Sequence, residues 1–258
     1  MIYSLYISMT DYNIATGVRN FINFENYRSA LFDVEHLRSI KTTFIFIIGT
    51  VALSTSIGLG LALILNKYSK GRSIFVPFLL MPMMLTPVVV GLMWGMMYNT
   101  DFGVIAFLLR TIGIKRGSWT GDPSTALLTV ILTDVWQWTP FAMILLLSGL
   151  QAIPQEPFEA AQIDGASKWH MFRYITLPLL KPILLIVIVF RIVDSIKVFD
   201  VVYTLTAGGP GTTTEVISLF IYRTCFRFFR MGYASALSWI LLIITVILCE
   251  IYIKLIRE

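Results

Sequence analysis

Charge is scarce in this sequence. Of 258 residues only 14% are Asp, Glu, Lys or Arg, against 57% hydrophobic and 14% aromatic, and the mean hydropathy is +0.78. A soluble domain carries about 25% charged residues, so there is too little polar side chain here to cover a water-facing surface. A soluble enzyme or binding module is excluded. Disorder is excluded as well, because 18 Phe, 11 Tyr and 6 Trp would not stay solvated. Cysteine is nearly absent: Cys225 and Cys249 are too few for a disulfide framework and too isolated for a metal site. His36 and His170 stand alone, so no Ser-His-Asp, Cys-His or metal-ligand set assembles and no catalytic centre is expected. No basic patch interleaves with aromatics as a nucleic-acid surface requires. Met1–Thr10 lacks the basic region of a cleavable signal peptide.

What is present is a set of long charge-free runs. A transmembrane helix needs about 20 largely apolar residues to cross roughly 30 Å of hydrocarbon. No charge lies between Lys41 and Lys67, or between Arg72 and Asp101. Pro123–Leu150 is broken only by Asp134, Leu179–Tyr203 carries Arg191, Asp194 and Lys197 between Lys181 and Asp200 nearer its ends, and Met231–Ile253 is charged only at Glu250. These runs predict an all-α polytopic bundle of five spans, at about 42–66, 73–99, 123–150, 179–203 and 232–254, in a single domain 1–258. Period-2 alternation is missing, which argues against a membrane β-barrel, and no fixed-period repeat suggests a solenoid.

Charge alone leaves the orientation open. With the amino terminus outside, eight loop Lys and Arg fall inside and ten outside, against the positive-inside rule. The densest basic cluster, the turn NKYSKGRS, favours that orientation weakly.

Three features inside the spans carry chemistry. Arg191, Asp194 and Lys197 recur at spacings of three and predict one polar helix face. Charges within a span are costly and face a cavity or one another. The triplet therefore reads either as an internal ion pair that holds the bundle or as a lining for a solute path. Asp134, Gln137, Trp138 and Phe141 form a similar face on the third span, which reads either as a lining for the same path or as lipid-facing aromatic packing. Pro77, Pro82 and Pro87 interrupt the second span's hydrogen-bond ladder, as a kinked packing helix or a gating element. Gly208-Gly209-Pro210-Gly211 is not followed by Lys-Ser/Thr, so it is no nucleotide loop.

The most informative segment lies between spans three and four. In QEPFEAAQIDGASKWHMFRYITLP, residues 155–178, Phe158, Ala161, Gly165, Trp169 and Phe172 are spaced as one stripe of a surface helix. Gly165 on that stripe costs about 1 kcal/mol in a helix interior, which predicts close approach of another group. On physics alone this is an interfacial helix that either stabilises the bundle or docks a partner.

The letters narrow the choice. Glu159-Ala160-Ala161, three residues, Gly165, nine residues and then Ile175-x-Leu177-Pro178 resemble the EAA loop of the membrane subunits of ATP-binding-cassette (ABC) importers. Leu65-Asn66, Gly71-Arg72, Leu80-Met81-Pro82, Thr86 to Trp94, Asp134 to Pro140, Phe199-Asp200 and Leu205 to Gly211 are similar to the carbohydrate-importer branch, exemplified by maltose and glycerol-phosphate importers. Ser8-Met9-Thr10-Asp11 and Asn26-Tyr27 extend the resemblance over nearly the whole chain.

This resemblance implies a type I importer permease moving a sugar-like solute across the cytoplasmic membrane by alternating access. It implies that loop 154–178 is cytoplasmic and docks on an ATPase dimer through Glu159, Ala160, Ala161, Asp164, Gly165, Ile175, Leu177 and Pro178. It implies a solute path along Asp134, Gln137, Trp138, Phe141, Arg191, Asp194, Ser195 and Lys197. The further partners it implies are a second permease and an extracytoplasmic solute-binding protein. This chain then carries no cofactor, since ATP and Mg sit on the ATPase; its amino terminus lies outside and its carboxyl terminus inside. In the family a further helix precedes the Ser-x-Thr-Asp segment, so the chain reads as a larger permease short of its first helix. Two other classes stand beside this reading. An ion-gradient-driven transporter would use Asp134, Asp194 and Glu250 as intramembrane carboxylates but has no use for such a loop, and a membrane scaffold would not need the charged triplet.

Overall fold

The computed structural model describes residues 1–68, 71–113 and 117–257, and among them all regular structure is helical. Three of the basic residues weighed for orientation, Lys70, Lys115 and Arg116, lie outside the described residues. In chain order the helices are α1 (Ile2–Ser8), α2 (Glu25–Phe32), α3 (Val34–Lys67), α4 (Arg72–Met84), α5 (Pro87–Met97), α6 (Val104–Thr111), α7 (Ala126–Ala152), α8 (Glu156–Ile163), α9 (Lys168–Met171), α10 (Leu177–Ile196), α11 (Asp200–Leu205), α12 (Ile217–Phe226) and α13 (Met231–Arg257). Four stretches are long and apolar enough to cross a membrane: Val34–Lys67, Ala126–Ala152, Lys168–Ile196 and Met231–Glu250. The bent pair α4–α5, counted as one, makes five.

The centre of the bundle is the packing of α3 on α7. Small residues let the two backbones approach, as is usual where helices meet in lipid. A Cβ added at Gly58 would stand 2.8 Å from the Ala142 Cβ and 3.0 Å from the Met143 amide nitrogen. Around this contact Ala62, Met143, Leu146, Leu147, Leu180 and Val187 form the apolar core. Hydroxyls on the same helices spend their donors on their own backbone: Thr43 on the Ser39 carbonyl, Thr50 on Phe46, Thr133 on Thr129 and Thr139 on Val135. Phe44, Ile48, Leu132 and Ile247 face outward, where lipid replaces water as the solvent.

The end of the bundle that holds the amino terminus is tied down by polar contacts between segments distant in sequence. Buried Asn26 donates to the Ser8 and Thr10 carbonyls at 2.9 and 2.8 Å, and the Tyr27 hydroxyl lies 2.7 Å from Ser8 Oγ. Asp33 caps α3 by accepting from the Glu35 and His36 amides and takes a 2.7 Å bond from the Tyr233 hydroxyl of α13. Burial pushes the Asp33 carboxyl up, but those three donors outweigh it and hold the group below the usual carboxylate range.

Several boundaries differ from the sequence reading. The second span is two helices meeting at 94° across Leu85–Thr86. Pro77 and Pro82 are carried inside α4, and only Pro87 marks a break, as the first residue of α5. The fourth helical run begins at Lys168 instead of near 179, passes through a π-helical turn at Phe172–Thr176, and stops at Ile196 instead of 203. Pro178, the second residue of α10, has no amide hydrogen to return to the carbonyl four residues back in that turn, and Pro182 is carried inside α10. Residues 197–199 are irregular before α11. The stretches read as loops contain α1, α2, α6, α8, α9 and α12, because amphipathic or short apolar helices leave no 20-residue signature.

The Gly58 contact yields a paired test. Gly58→Ala should destabilise the bundle by about 1–3 kcal/mol through overpacking. Gly60→Ala, where nothing lies within 4 Å, should be neutral or stabilising by up to about 1 kcal/mol. Thermal unfolding of the two variants in detergent measures the difference.

Candidate functional site

A polar cavity of about 180 Å³ opens where the two interrupted spans meet α7. Pro87 brings in the break between α4 and α5; Lys197, Val198 and Phe199 bring in the break between α10 and α11; Asp134 and Trp138 come from α7. Asp194 and Asp200 complete its charged wall.

Behind that wall lies a buried ion cluster. The Arg191 guanidinium is 1% exposed and its donors run to three helices. Nη2 pairs with Asp134 on α7, which is itself 2% exposed. Nη1 donates to Asp194 Oδ2 at 3.1 Å, one turn along α10, and Nε donates to Ser54 Oγ on α3 at 3.3 Å. The Arg191 guanidinium carbon also stands 5.7 Å from the Trp138 ring centroid, within cation–π range. Asp194 is 41% exposed, so it faces the buried arginine on one side and the cavity on the other.

The eight residues expected along a path therefore separate. Asp134, Trp138, Asp194 and Lys197 line the cavity. Arg191 sits behind it. Buried Gln137 turns away and donates from Nε2 to the Leu85 carbonyl at 3.1 Å, supplying a partner for backbone freed at the helix break. Ser195 is buried with its hydroxyl 3.1 Å from Thr50 Oγ1, joining α10 to α3. Phe141 stacks edge-on between Trp138 and Phe190 at 6.5 and 6.0 Å. The expected single face of Arg191, Asp194 and Lys197 is also modified. Lys197 is the C-cap of α10 and exposed, while Arg191 is among the most buried side chains. Sequence reading missed Ser54 and Asp200 as members of the site. The recurrence of Thr43, Thr50 and Ser54 along an otherwise apolar run was the available signal for the first.

The second candidate surface is the segment after α7. It is two helices, not one striped helix. Pro157 starts α8, which ends at Asp164; Gly165 then adopts φ +77°, and the Ala166 amide returns to the Ala161 carbonyl at 2.9 Å. Ser167 opens α9, its hydroxyl accepting from the His170 amide. No atom lies within 4 Å of a Cβ built on Gly165, so its role is a left-handed helix end, not the close approach expected of it. Glu159, Ala160, Asp164, Gly165 and Pro178 are exposed; Ala161, Ile175 and Leu177 are half-buried. Phe158 packs onto the core, whereas Ile163 and Trp169 are 86% and 70% exposed. Large apolar side chains standing in the open on an ordered turn mark an interaction surface.

A helical bundle with five apolar spans, charged groups gathered at broken helices, and an exposed helical loop defines a membrane transport subunit. Residues 54–257 match the binding-protein-dependent transport system inner membrane component family, and the chain belongs to that family. It is 38% identical over 237 residues to the trehalose/maltose transport system permease protein MalF of Thermococcus litoralis, covering 91% of this chain and 79% of the relative. It is 32% identical over 254 residues to the sulfoquinovosyl glycerol transport system permease protein SmoG of Agrobacterium fabrum, covering 98% and 82%. The crystal structure of a bacterial ABC transporter that imports the acidic polysaccharide alginate superposes with a TM-score of 0.83 at 25% identity, over 92% of this chain and 84% of that one. The alginate transporter in complex with its pentasaccharide-bound periplasmic protein superposes at 0.81. The protein is thus a multi-pass permease of the inner membrane and a transport component, not a catalytic subunit. The ion-gradient alternative finds no support in this family.

The cluster predicts unequal costs for its two carboxylates. Asp134→Ala strands a buried guanidinium charge and should cost about 3–5 kcal/mol of stability, recovered largely in Asp134→Leu/Arg191→Met. Asp194→Asn, at a partly exposed pair, should cost less than about 1 kcal/mol. Denaturant unfolding in micelles ranks the three variants.

Proposed function

We propose that this permease imports a sugar or sugar-like solute and that the 154–178 segment couples it to a separate ATPase dimer. The observation that carries the coupling is the loop itself. Glu159 projects from the first turns of α8 without an intramolecular ion pair among the described residues, and the left-handed Gly165 ends that helix and turns the chain toward α9. A carboxylate next to exposed Ile163 and Trp169 suits a cleft with an apolar floor and a basic rim. The ATPase would hold ATP and Mg; this chain contributes the lever.

Docking on a cytoplasmic ATPase places the loop inside, and an odd number of spans then puts the amino terminus outside and the carboxyl terminus inside. Residues 205–216 fall on the outer face in that orientation. There Arg223 clamps the segment by donating to Glu215 at 2.6 Å and to the Ala207 carbonyl, giving an extracytoplasmic solute-binding protein an ordered surface. A second permease completes the pathway. Nucleotide-driven closure of the ATPase dimer pulls the loop, the spans rock, and the cavity at Asp134, Trp138, Asp194 and Lys197 alternates between the two sides. A saccharide fits this wall: carboxylates accept from its hydroxyls and the Trp138 face stacks on its ring. Relatives whose names specify trehalose and maltose, or xylose and arabinose, support the sugar class.

Glu159→Lys and Gly165→Asp test the coupling. Each should leave the permease in the membrane and lower solute-stimulated ATP hydrolysis at least about tenfold, the scale of one lost charge-assisted contact. Wild-type stimulation in both variants of the assembled transporter would remove the coupling assignment.

A further inference from the structure

Each nitrogen of Arg191 already has a protein acceptor, and burial keeps its two remaining N–H hydrogens away from a solute. Nη2 is taken by Asp134, Nη1 by Asp194 and Nε by Ser54, and the side chain is 1% exposed. Yet both solute-facing groups on its side of the cavity depend on it. The carboxylate of Asp194 is held from behind by Nη1, which leaves its second oxygen toward the cavity. The Trp138 ring is held by the guanidinium at 5.7 Å. The guanidinium is in turn fixed from two other helices, by Ser54 on α3 and Asp134 on α7.

We infer that Arg191 is a positioning residue for solute recognition: anchored to α3 and α7, it sets Asp194 and Trp138 in the geometry that binds the solute without touching the solute itself. This rests on the reading of the cavity as the solute site and adds a division of labour within it. An ion pair that served only to hold helices together would need one partner on another helix, and Asp134 already provides that. Such a pair would need neither a second carboxylate on the cavity wall nor an aromatic ring beside it. Three acceptors in three directions also require the planar fork of arginine. A lysine keeps the charge but carries it as a point on a flexible stem, so Asp134 would be satisfied and Asp194 released. Asp194 is then an acceptor whose direction is set by a neighbour, and its contribution to binding exists only while that neighbour is in place.

The test measures uptake by the complete transporter in cells over labelled maltose, trehalose, xylose, arabinose and an alginate trisaccharide, with kinetics taken on the best-transported sugar. Arg191→Lys should raise KM about tenfold and leave the maximal rate within about twofold, the signature of lost binding rather than lost turnover. Asp194→Asn should do the same. The double variant should be no worse than either single one, because one residue acts through the other. If Arg191→Lys is lost from the membrane, Ser54→Ala removes only the Nε acceptor and keeps both ion pairs. It should raise KM about threefold alone and not at all beside Asp194→Asn. Multiplicative effects in the double variants, or a fall in maximal rate at constant KM, would overturn the positioning role and leave the solute site standing. Unchanged KM in both Asp194→Asn and Trp138→Ala, or transport of none of the five sugars, would remove the site reading and this role together.

Discussion

A guanidinium buried among membrane-spanning helices must find a protein acceptor for each of its three nitrogens, and that requirement organises the bundle. Water is not available to complete an unfinished set, and an unpaired charge at such a position is costly. Arg191 meets the demand with one acceptor from each of α3, α7 and its own helix α10. The three helices are thereby fixed in azimuth as well as in distance, which apolar contact alone does not achieve. The Gly58–Ala142 crossing sets how close α3 and α7 come; the arginine sets which faces they present.

The same rule explains the polar groups that are not charged. Thr43 and Thr50 in α3 and Thr133 and Thr139 in α7 fold their hydroxyls back onto carbonyls of the preceding turn, so these four enter the apolar interior already satisfied. Where the chain breaks, a side chain from elsewhere makes up the loss: Gln137 reaches the Leu85 carbonyl across the 94° bend. The segment after α7 differs: there Ile163 and Trp169 stand exposed, and Glu159 has no ion pair among the described residues. An ordered surface that is both apolar and acidic has bonding left to make, which supports the proposed docking of a partner there.

How much of this was legible in the sequence follows from the range of each interaction. The spans were readable because 20 residues without charge are a local signal, and the bundle was correct in kind. The loop proposed for docking stood out as letters at fixed spacing. Its geometry did not, because a glycine at helical spacing looks the same whether it admits a neighbour or ends a helix; only φ at Gly165 separates the two. Arg191, Asp134 and Asp194 were visible individually as misplaced charges. Their grouping was not, since Asp134 and Ser54 come from other helices and nothing local in sequence pairs them. The same holds for Gln137 and Ser195, expected along a path but turned to bonds with Leu85 and Thr50.

The two helix breaks and the cavity are best understood as one feature. Backbone that leaves the helical ladder inside a membrane is tolerated only where protein or a water-lined space can satisfy it. The break at Leu85–Thr86 and the irregular residues 197–199 both arrive at the same 180 Å³ space, with Pro87 on one side and Lys197, Val198 and Phe199 on the other. Each break therefore supports a polar cavity, and the cavity supports each break. Between them α5 packs against α11 so closely that a Cβ on Gly91 would overlap the Thr204 hydroxyl, which keeps the two interruptions side by side. A straight pair of helices would have buried the same apolar area with fewer unsatisfied groups. That the chain accepts two breaks where its charges gather is the physical support for the proposed solute site at this point in the fold.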